Sequence, residues 1–158
     1  MGLTLRPARE DELETLLSIQ RDASVAAFSH VFPPDEYPYP SDDVRELWRR
    51  ALDEPAREVA VGEVDGEAAG VVLVEGDFLS GLYVRPEHQG TGVGSALHDW
   101  ALERLRARGC SRALLWTLEG NRQARPFYER RGWALTEETR VVPFPPHPLD
   151  VQYAKDLG

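Results

Sequence analysis

The stretch Leu-Tyr-Val-Arg-Pro-Glu-His-Gln-Gly-Thr-Gly-Val-Gly-Ser-Ala-Leu, residues 82 to 97, limits the fold more than any other part of the chain. A short apolar run enters glycines at positions 90, 92 and 94 and leaves directly into a helical pattern. A loop that only connects has no use for so many glycines. Removing Cβ atoms beside a helix N-terminus exposes its unpaired N–H groups, which carry a partial positive charge. Strand, glycine loop and helix together make an anion cradle suited to phosphate. Two common spacings fail. The Rossmann turn needs G-x-G-x-x-G, and the glycines here are evenly spaced. The Walker A loop needs Gly-Lys-Ser/Thr, whereas Gly94 directly precedes Ser95 and the sole lysine of the chain is Lys155. A nucleoside triphosphate is therefore disfavoured.

The 158 residues suffice for one domain, expected over 1–158, and are too few for two ordinary ones. A hydrophobic content of 42% marks a chain that folds. A net charge of -9 disfavours nucleic acid and anionic lipid as partners. No apolar run reaches membrane-spanning length, and the N-terminus lacks the basic-then-apolar order of a secretory signal, so a soluble cytoplasmic protein is expected. A single cysteine, Cys110, excludes an internal disulfide and argues against a zinc cluster. It stands at the start of a buried strand pattern, where an inert thiol is expected.

Periodicity orders the rest. Leu3 and Leu5 alternate as an edge strand would, and Leu13, Leu16 and Leu17 share a helical face. Four prolines interrupt residues 28–40. A second helix restarts at Ser41, a natural N-cap, with Val44, Leu47, Trp48 and Ala51 on one face. Three strands follow Pro55, turned at Asp65-Gly66 and Gly76-Asp77. After the glycine loop a helix carries Val93, Ala96, Leu97, Trp100, Ala101 and Leu105 as its stripe and reaches about Arg108. A buried strand, a short helix from Asn121 to Gly132 and two final strands complete the order β-α-α-β-β-β-α-β-α-β-β, a mixed α/β domain.

The pattern Q-x-x-G-x-G, spelled by Gln89, Gly92 and Gly94, resembles the acyl-CoA signature of the GCN5-related N-acetyltransferase superfamily. A second segment, Asn-Arg-Gln-Ala-Arg-Pro-Phe-Tyr-Glu-Arg-Arg-Gly-Trp, is similar to that family's N-x-x-A-x-x-F-Y-E-x-x-G-F/W element at Asn121, Ala124, Phe127, Tyr128, Glu129, Gly132 and Trp133. The resemblance covers roughly residues 58 to 157. It implies an acyl-CoA N-acyltransferase fold of class α/β (α+β), with a mixed, mostly antiparallel sheet of six to seven strands and about four helices. It also implies acetyl-CoA as cosubstrate, no metal, and transfer to a primary amine of a small molecule or peptide. The runner-up is a non-catalytic acyl-CoA sensor.

Carried over by position, Leu82, Tyr83 and Val84 would hold the pantetheine arm. Gln89, Gly90, Thr91, Gly92, Val93, Gly94 and Ser95 would hold the pyrophosphate, with Asn121 and Phe127 also on the cofactor. A main-chain N–H near Tyr83 is the expected oxyanion donor, and Tyr128 the acid that protonates the leaving thiolate. Relatives often place a carboxylate on the strand before the signature; here Phe78 and Leu79 occupy that stretch. Asp77, Glu75, His30, His88 and His147 are open alternatives for a base, none preferred. Pro126, inside a helix starting at Asn121, would cost a backbone hydrogen bond unless the helix begins late. The acceptor is expected between the proline-rich segments, against Phe28, Phe32, Tyr37, Tyr39 and Phe144, with Asp35 and Glu36 attracting a cation; stiff loops packed on the core are an equal reading. Many relatives pair as dimers, so a homodimer remains open.

Overall fold

The computed structural model describes residues 2–158; Met1, the first residue of the span expected as one domain, lies outside them. The elements are β1 (Leu3–Pro7), α1 (Leu13–Phe28), α2 (Ser41–Asp53), β2 (Arg57–Val64), β3 (Glu67–Glu75), β4 (Phe78–Val84), α3 (Val93–Ala107), β5 (Arg112–Leu118), α4 (Ala124–Glu129), β6 (Ala134–Val141) and β7 (Leu149–Asp156). Single 3-10 turns precede α1 and lead into the glycine loop. The order is the one expected from periodicity. One seven-stranded sheet runs β1-β2-β3-β4-β5-β7-β6.

Burial explains the strand order. β2 and β3 carry continuous apolar runs because both of their faces are covered. Val61 and Val71 meet α1 and α2, in a cluster with Leu16, Leu17, Ile19 and Trp48. Ala60, Val72 and Val74 meet α3, in a cluster with Val93, Leu97, Ala101 and Leu105. β6 is a sheet edge and is exposed along nearly its whole length. The hairpin turn at Asp65-Gly66 uses two positive φ values, 51° and 86°, as a two-residue loop between twisted strands requires.

Two missing side chains set the position of α3. Gly62 and Gly70 are register partners on β2 and β3. A Cβ on Gly70 would lie 2.9 Å from Leu97 Cδ1, 3.0 Å from Val93 Cγ1 and 3.0 Å from the Tyr83 carbonyl. A Cβ on Gly62 would lie 3.1 Å from Val93 Cγ1. The first turn of α3 therefore sits closer to the sheet than any residue with a side chain would allow, and this places the glycine loop over the end of β4.

Among the described residues β4 and β5 are the only parallel neighbours, and they pair only at Phe78 and Leu114, where the Leu114 N–H donates to the Asp77 carbonyl at 3.0 Å. Beyond that point the strands part. The sheet thus contains a wedge, closed near Asp77 and open toward the glycine loop.

Three local expectations change. Ser41 is the first residue of α2, not its cap; Pro40 holds that place and no side-chain cap bond forms. α4 begins at Ala124, so Pro126 falls in its first turn, where its missing N–H has no helical partner to lose. Asn121 Oδ1 accepts the N–H groups of Gln123 and Ala124 at 3.2 and 2.9 Å and turns the chain into that helix. Cys110 is half-buried rather than sealed, its thiol 3.9 Å from the Gly76 carbonyl.

Candidate functional site

The mouth of the wedge is lined by main chain. Gly90 and Gly92 adopt φ of +74° and +91°, and Gly92 is the N-cap of α3. A Cβ on either would meet nothing within 4 Å, so the space before the helix is open and only backbone strain reserves these positions for glycine. The first N–H to find a helical acceptor is that of Ala96, which donates to the Gly92 carbonyl at 3.0 Å. Among the described residues, the N–H groups of residues 90 to 95 have no hydrogen-bond partner. That is a set of converging, uncompensated donors at the positive end of a fifteen-residue helix. Gly94 differs from the other two. Its φ is ordinary, and a Cβ there would touch Phe127 and Val84 at 3.6 Å.

The loop side chains mostly shape the loop. Gln89 Nε2 reaches the Val84 carbonyl at 3.4 Å, and the Thr91 hydroxyl donates to the His88 carbonyl. Ser95 Oγ accepts from Arg131, whose guanidinium lies 3.6 Å over the Phe127 ring.

Register decides which β4 amides face the wedge. Arg85 N–H donates to the Ala69 carbonyl, and Val71–Tyr83 and Leu73–Gly81 continue the same alternation of directly opposed pairs. In an antiparallel ladder such residues turn both backbone groups toward the partner strand. The main-chain groups of Tyr83 and Gly81 therefore point to β3, and those of Leu82 and Val84 point into the wedge. This narrows the expected donor: the N–H near Tyr83 that faces the wedge belongs to Leu82 or Val84, while the main chain of Tyr83 itself faces β3.

Tyr128, on α4, is buried in an aromatic cluster with Phe127, Trp133 and His98. Its hydroxyl makes no hydrogen bond among the described residues. It is also not sealed, for the buried polar atoms left without a partner are Arg6 Nε and Tyr39 Oη. Burial, and then the nearby Tyr83 hydroxyl, push the Tyr128 hydroxyl well above the ordinary tyrosine value, with Arg131 opposing. The hydroxyl therefore stays protonated at any physiological pH.

Sequence reasoning missed His98. It is buried, accepts the Trp133 indole N–H at Nε2 (3.0 Å) and bonds Asp99 through Nδ1. Its imidazole is the pin between α3 and the aromatic cluster around Tyr128. The signal was present: positions 98, 101, 102 and 105 repeat at helical spacing and are all buried.

On the opposite face of the sheet, Tyr83 packs edge-on against Trp48 of α2. Its ring folds back over Gly81, where a Cβ would lie 2.8 Å from Tyr83 Cε2. Burial first, and then the Asp150 carboxylate, push its hydroxyl up to about 12. Tyr39 joins the α1–α2 core, whereas Phe28, at the end of α1, Phe32 and Tyr37, on the loop that follows it, and Phe144, on the β6–β7 loop, are half-buried and enter neither core cluster. Asp35 and Glu36 are exposed.

Asn121 spends its side-chain oxygen on the turn into α4, and its Nδ2 donates to Thr117 Oγ1 at 3.1 Å. Its side chain is committed to holding the turn. Of the alternatives for a base, Glu75 pairs with Arg57 and Asp77 is exposed at the closed end of the wedge, far from the loop in strand order. His30 bonds the Gly120 carbonyl, His88 approaches Glu67 at 4.0 Å, and His147 bonds the Val142 carbonyl. Among the described residues no cluster of three or more His, Cys, Asp or Glu is arranged to hold a metal, and no helix is long and apolar enough to cross a membrane.

Known proteins match this arrangement. The family pattern described as "Acetyltransferase (GNAT) family" matches residues 17–133. The peptidyl-lysine N-acetyltransferase YjaB of Salmonella typhimurium is 32% identical over 150 residues, covering 94% of this chain and 96% of that protein. YjaB of Escherichia coli is 31% identical over 94% of this chain and 95% of its own length. An uncharacterized N-acetyltransferase of Archaeoglobus fulgidus is 34% identical over 97 residues, 54% of this chain and 66% of that protein. In overall fold, the PaiA N-acetyltransferase of Thermoplasma acidophilum, solved in complex with coenzyme A, superposes with a TM-score of 0.82 at 16% identity, over 99% of both chains. The seven-stranded mixed sheet with four helices is the fold of those structures. The chain belongs to the GNAT family of acetyltransferases and is an acyltransferase acting on amino groups.

Proposed function

We propose that the chain transfers an acetyl group from acetyl-CoA to the primary amine of a lysine side chain, in a peptide or a lysine-like small molecule, by direct attack while both substrates are bound. One observation carries the reading: a wedge between β4 and β5 has unpaired amides at its mouth, and Tyr128, its hydroxyl protonated and without a partner among the described residues, lies in the cluster against which Leu82 and Val84 of β4 pack. Coenzyme A, bound in the PaiA structure, has a diphosphate that suits the amides of residues 90–95 and an extended arm that suits the free edge of β4. The lysine acceptor is supported by the YjaB relatives, whose names give peptidyl-lysine as their substrate.

The residues divide the work. The loop amides fix the diphosphate and cost no reorganisation, because they are already aimed outward. The wedge-facing N–H of Leu82 or Val84 stabilises the thioester oxygen as it turns negative in the attack. The amine forms the new C–N bond, the C–S bond breaks, and Tyr128 gives its proton to the thiolate. The amine, arriving as an ammonium, loses two protons in all; one replaces that of Tyr128 and one leaves to solvent.

The test is thiol release from acetyl-CoA with Nα-acetyl-lysine amide as the acceptor. Turnover that falls on Tyr128→Phe, with coenzyme A affinity kept, supports the reading. Coenzyme A binding with no turnover on this amine or on a lysine-containing peptide overturns it.

A further inference from the structure

A lysine ε-ammonium has a pKa near 10.4, so at neutral pH it arrives charged and must be held and deprotonated before it attacks. β4 reads Phe-Leu-Ser-Gly-Leu-Tyr-Val from 78 to 84 and has no carboxylate to do this. We propose that Asp150, on β7, is the carboxylate that receives the acceptor ammonium and takes its first proton; this rests on the acyl-transfer reading above.

Strand register puts Asp150 on the acceptor face. β5 and β7 pair Leu118 with Asp150, Trp116 with Gln152 and Leu114 with Ala154, so these side chains share one face of the sheet. The intervening Leu115, Val151 and Tyr153 belong to the α3 cluster, on the other face. Asp150 therefore lies on the side of the sheet where Tyr83 packs on α2. Its level along the wedge follows from the β4–β5 contact: Phe78 lies beside Leu114, so Leu118, the partner of Asp150, is at the height of Leu82 and Tyr83, where the strands have parted. The charge of Asp150 reaches the Tyr83 hydroxyl, and that of Tyr83 reaches Tyr128. Acid and carboxylate thus flank the wedge from its two faces.

The environment of Asp150 suits a working group. Only 9% of the residue is exposed, at the start of a strand. A carboxylate so desolvated is costly unless it is fully paired. Asp150 is half paired: Oδ2 accepts from Arg140 Nε at 3.0 Å, and Oδ1 has no hydrogen bond among the described residues. Arg140 itself is 56% exposed and lies 4.5 Å over the Trp116 ring, so it covers this floor from the solvent side without burying its own charge. It holds one carboxylate oxygen and leaves the other for a ligand.

The proton balance is complete. The ammonium gives one proton to Asp150, which passes it to solvent; the neutral amine attacks, and the second nitrogen proton leaves as the amide forms and Tyr128 is reprotonated.

The experiment compares Asp150→Asn, Asp150→Glu and Arg140→Ala by thiol release with Nα-acetyl-lysine amide, alongside coenzyme A calorimetry. Asp150→Asn should lower kcat/KM about 100-fold and raise KM for the amine, with coenzyme A affinity unchanged, as loss of a proton acceptor predicts. Asp150→Glu should recover about tenfold of that loss. If the residue only braces β6 against β7, Arg140→Ala will cost as much as Asp150→Asn, the glutamate will not rescue, and the inference falls. Equal kcat/KM for Asp150→Asn and the unsubstituted protein also overturns it, while leaving the acyl-transfer reading intact. Absence of coenzyme A binding by the unsubstituted protein overturns both.

Discussion

The two sides of the wedge are built on different principles. The donor side is main chain: six amides at residues 90 to 95 and the free edge of β4 at Leu82 and Val84. The acceptor side is side chain: Tyr83 from β4, Trp116 from β5, Arg140 from β6 and Asp150 from β7. Main-chain contacts tolerate variation in side chain and demand only space and an allowed φ. Side-chain contacts depend on identity and on the register of distant strands. One side is therefore suited to a constant ligand and the other to a ligand that changes from relative to relative.

The largest effect that would break this comparison lies on the donor side. Gly92→Val puts a β-branched residue at φ +91° in the middle of the cradle. Calorimetry should find coenzyme A affinity reduced by at least about 100-fold, since both the loop shape and the access are lost. Affinity within a factor of about two would show that the amides are not the anchor. Next is Tyr128→Phe, expected to lower kcat about 100-fold with coenzyme A affinity unchanged. The acid must be protonated to act, and its pKa is raised, so the activity due to Tyr128 should persist through pH 10, the ordinary tyrosine range, and fall only above it.

Smaller effects sharpen the contrast. Gly81→Ala places a Cβ 2.8 Å from the Tyr83 ring and drives it off its seat. KM for the amine should rise about tenfold, with coenzyme A affinity nearly constant; a change in both would mean that the two sides are not separable. Gly70→Ala acts through the fold, because its Cβ meets Leu97, Val93 and the Tyr83 carbonyl at about 3 Å. It should cost about 1–3 kcal/mol in denaturant unfolding and weaken coenzyme A binding by shifting α3. The smallest effect is a pH dependence. Burial lowers the His98 pKa below its ordinary value. The unfolded chain then takes up the proton first, so stability is full above the ordinary histidine pKa and falls as pH drops below it. Protonation also removes the acceptor of the Trp133 indole N–H. Thermal melting between pH 7 and pH 5 should show the loss, and His98→Gln should reduce it.

Legibility followed the same division. Gly90 and Gly92 identify the cradle because a positive φ leaves a mark in residue type at fixed local spacing, whereas Gly94 has an ordinary φ. Tyr128 and Phe127 were found through a motif within one short helix, and the element order through periods of 2 and 3.6. The oxyanion donor is expected from sequence only as an N–H near Tyr83, since which amide faces the wedge depends on the pairing of β4 with β3. For Asn121 the sequence shows a helix start, and the structure adds which groups its side chain holds: the N–H groups of Gln123 and Ala124 and the Thr117 hydroxyl. For His98 the helical spacing marks burial, but its partners Trp133 and Asp99 are not written in that spacing, since the fold supplies the indole.

The sequence by itself determined the glycine loop ahead of a helix, the place of Tyr128 in a short helix, the alternation of helices and strands, and membership of a family, because each is written in contiguous residues and each depends on backbone geometry or short-range period. Only the tertiary structure decided the parting of β4 from β5, the fit of α3 over Gly62 and Gly70, and the placement of Asp150 across from Tyr83. Those features join residues up to 67 positions apart in the chain, and their positions are fixed by strand register and close packing, which no local stretch of residues encodes.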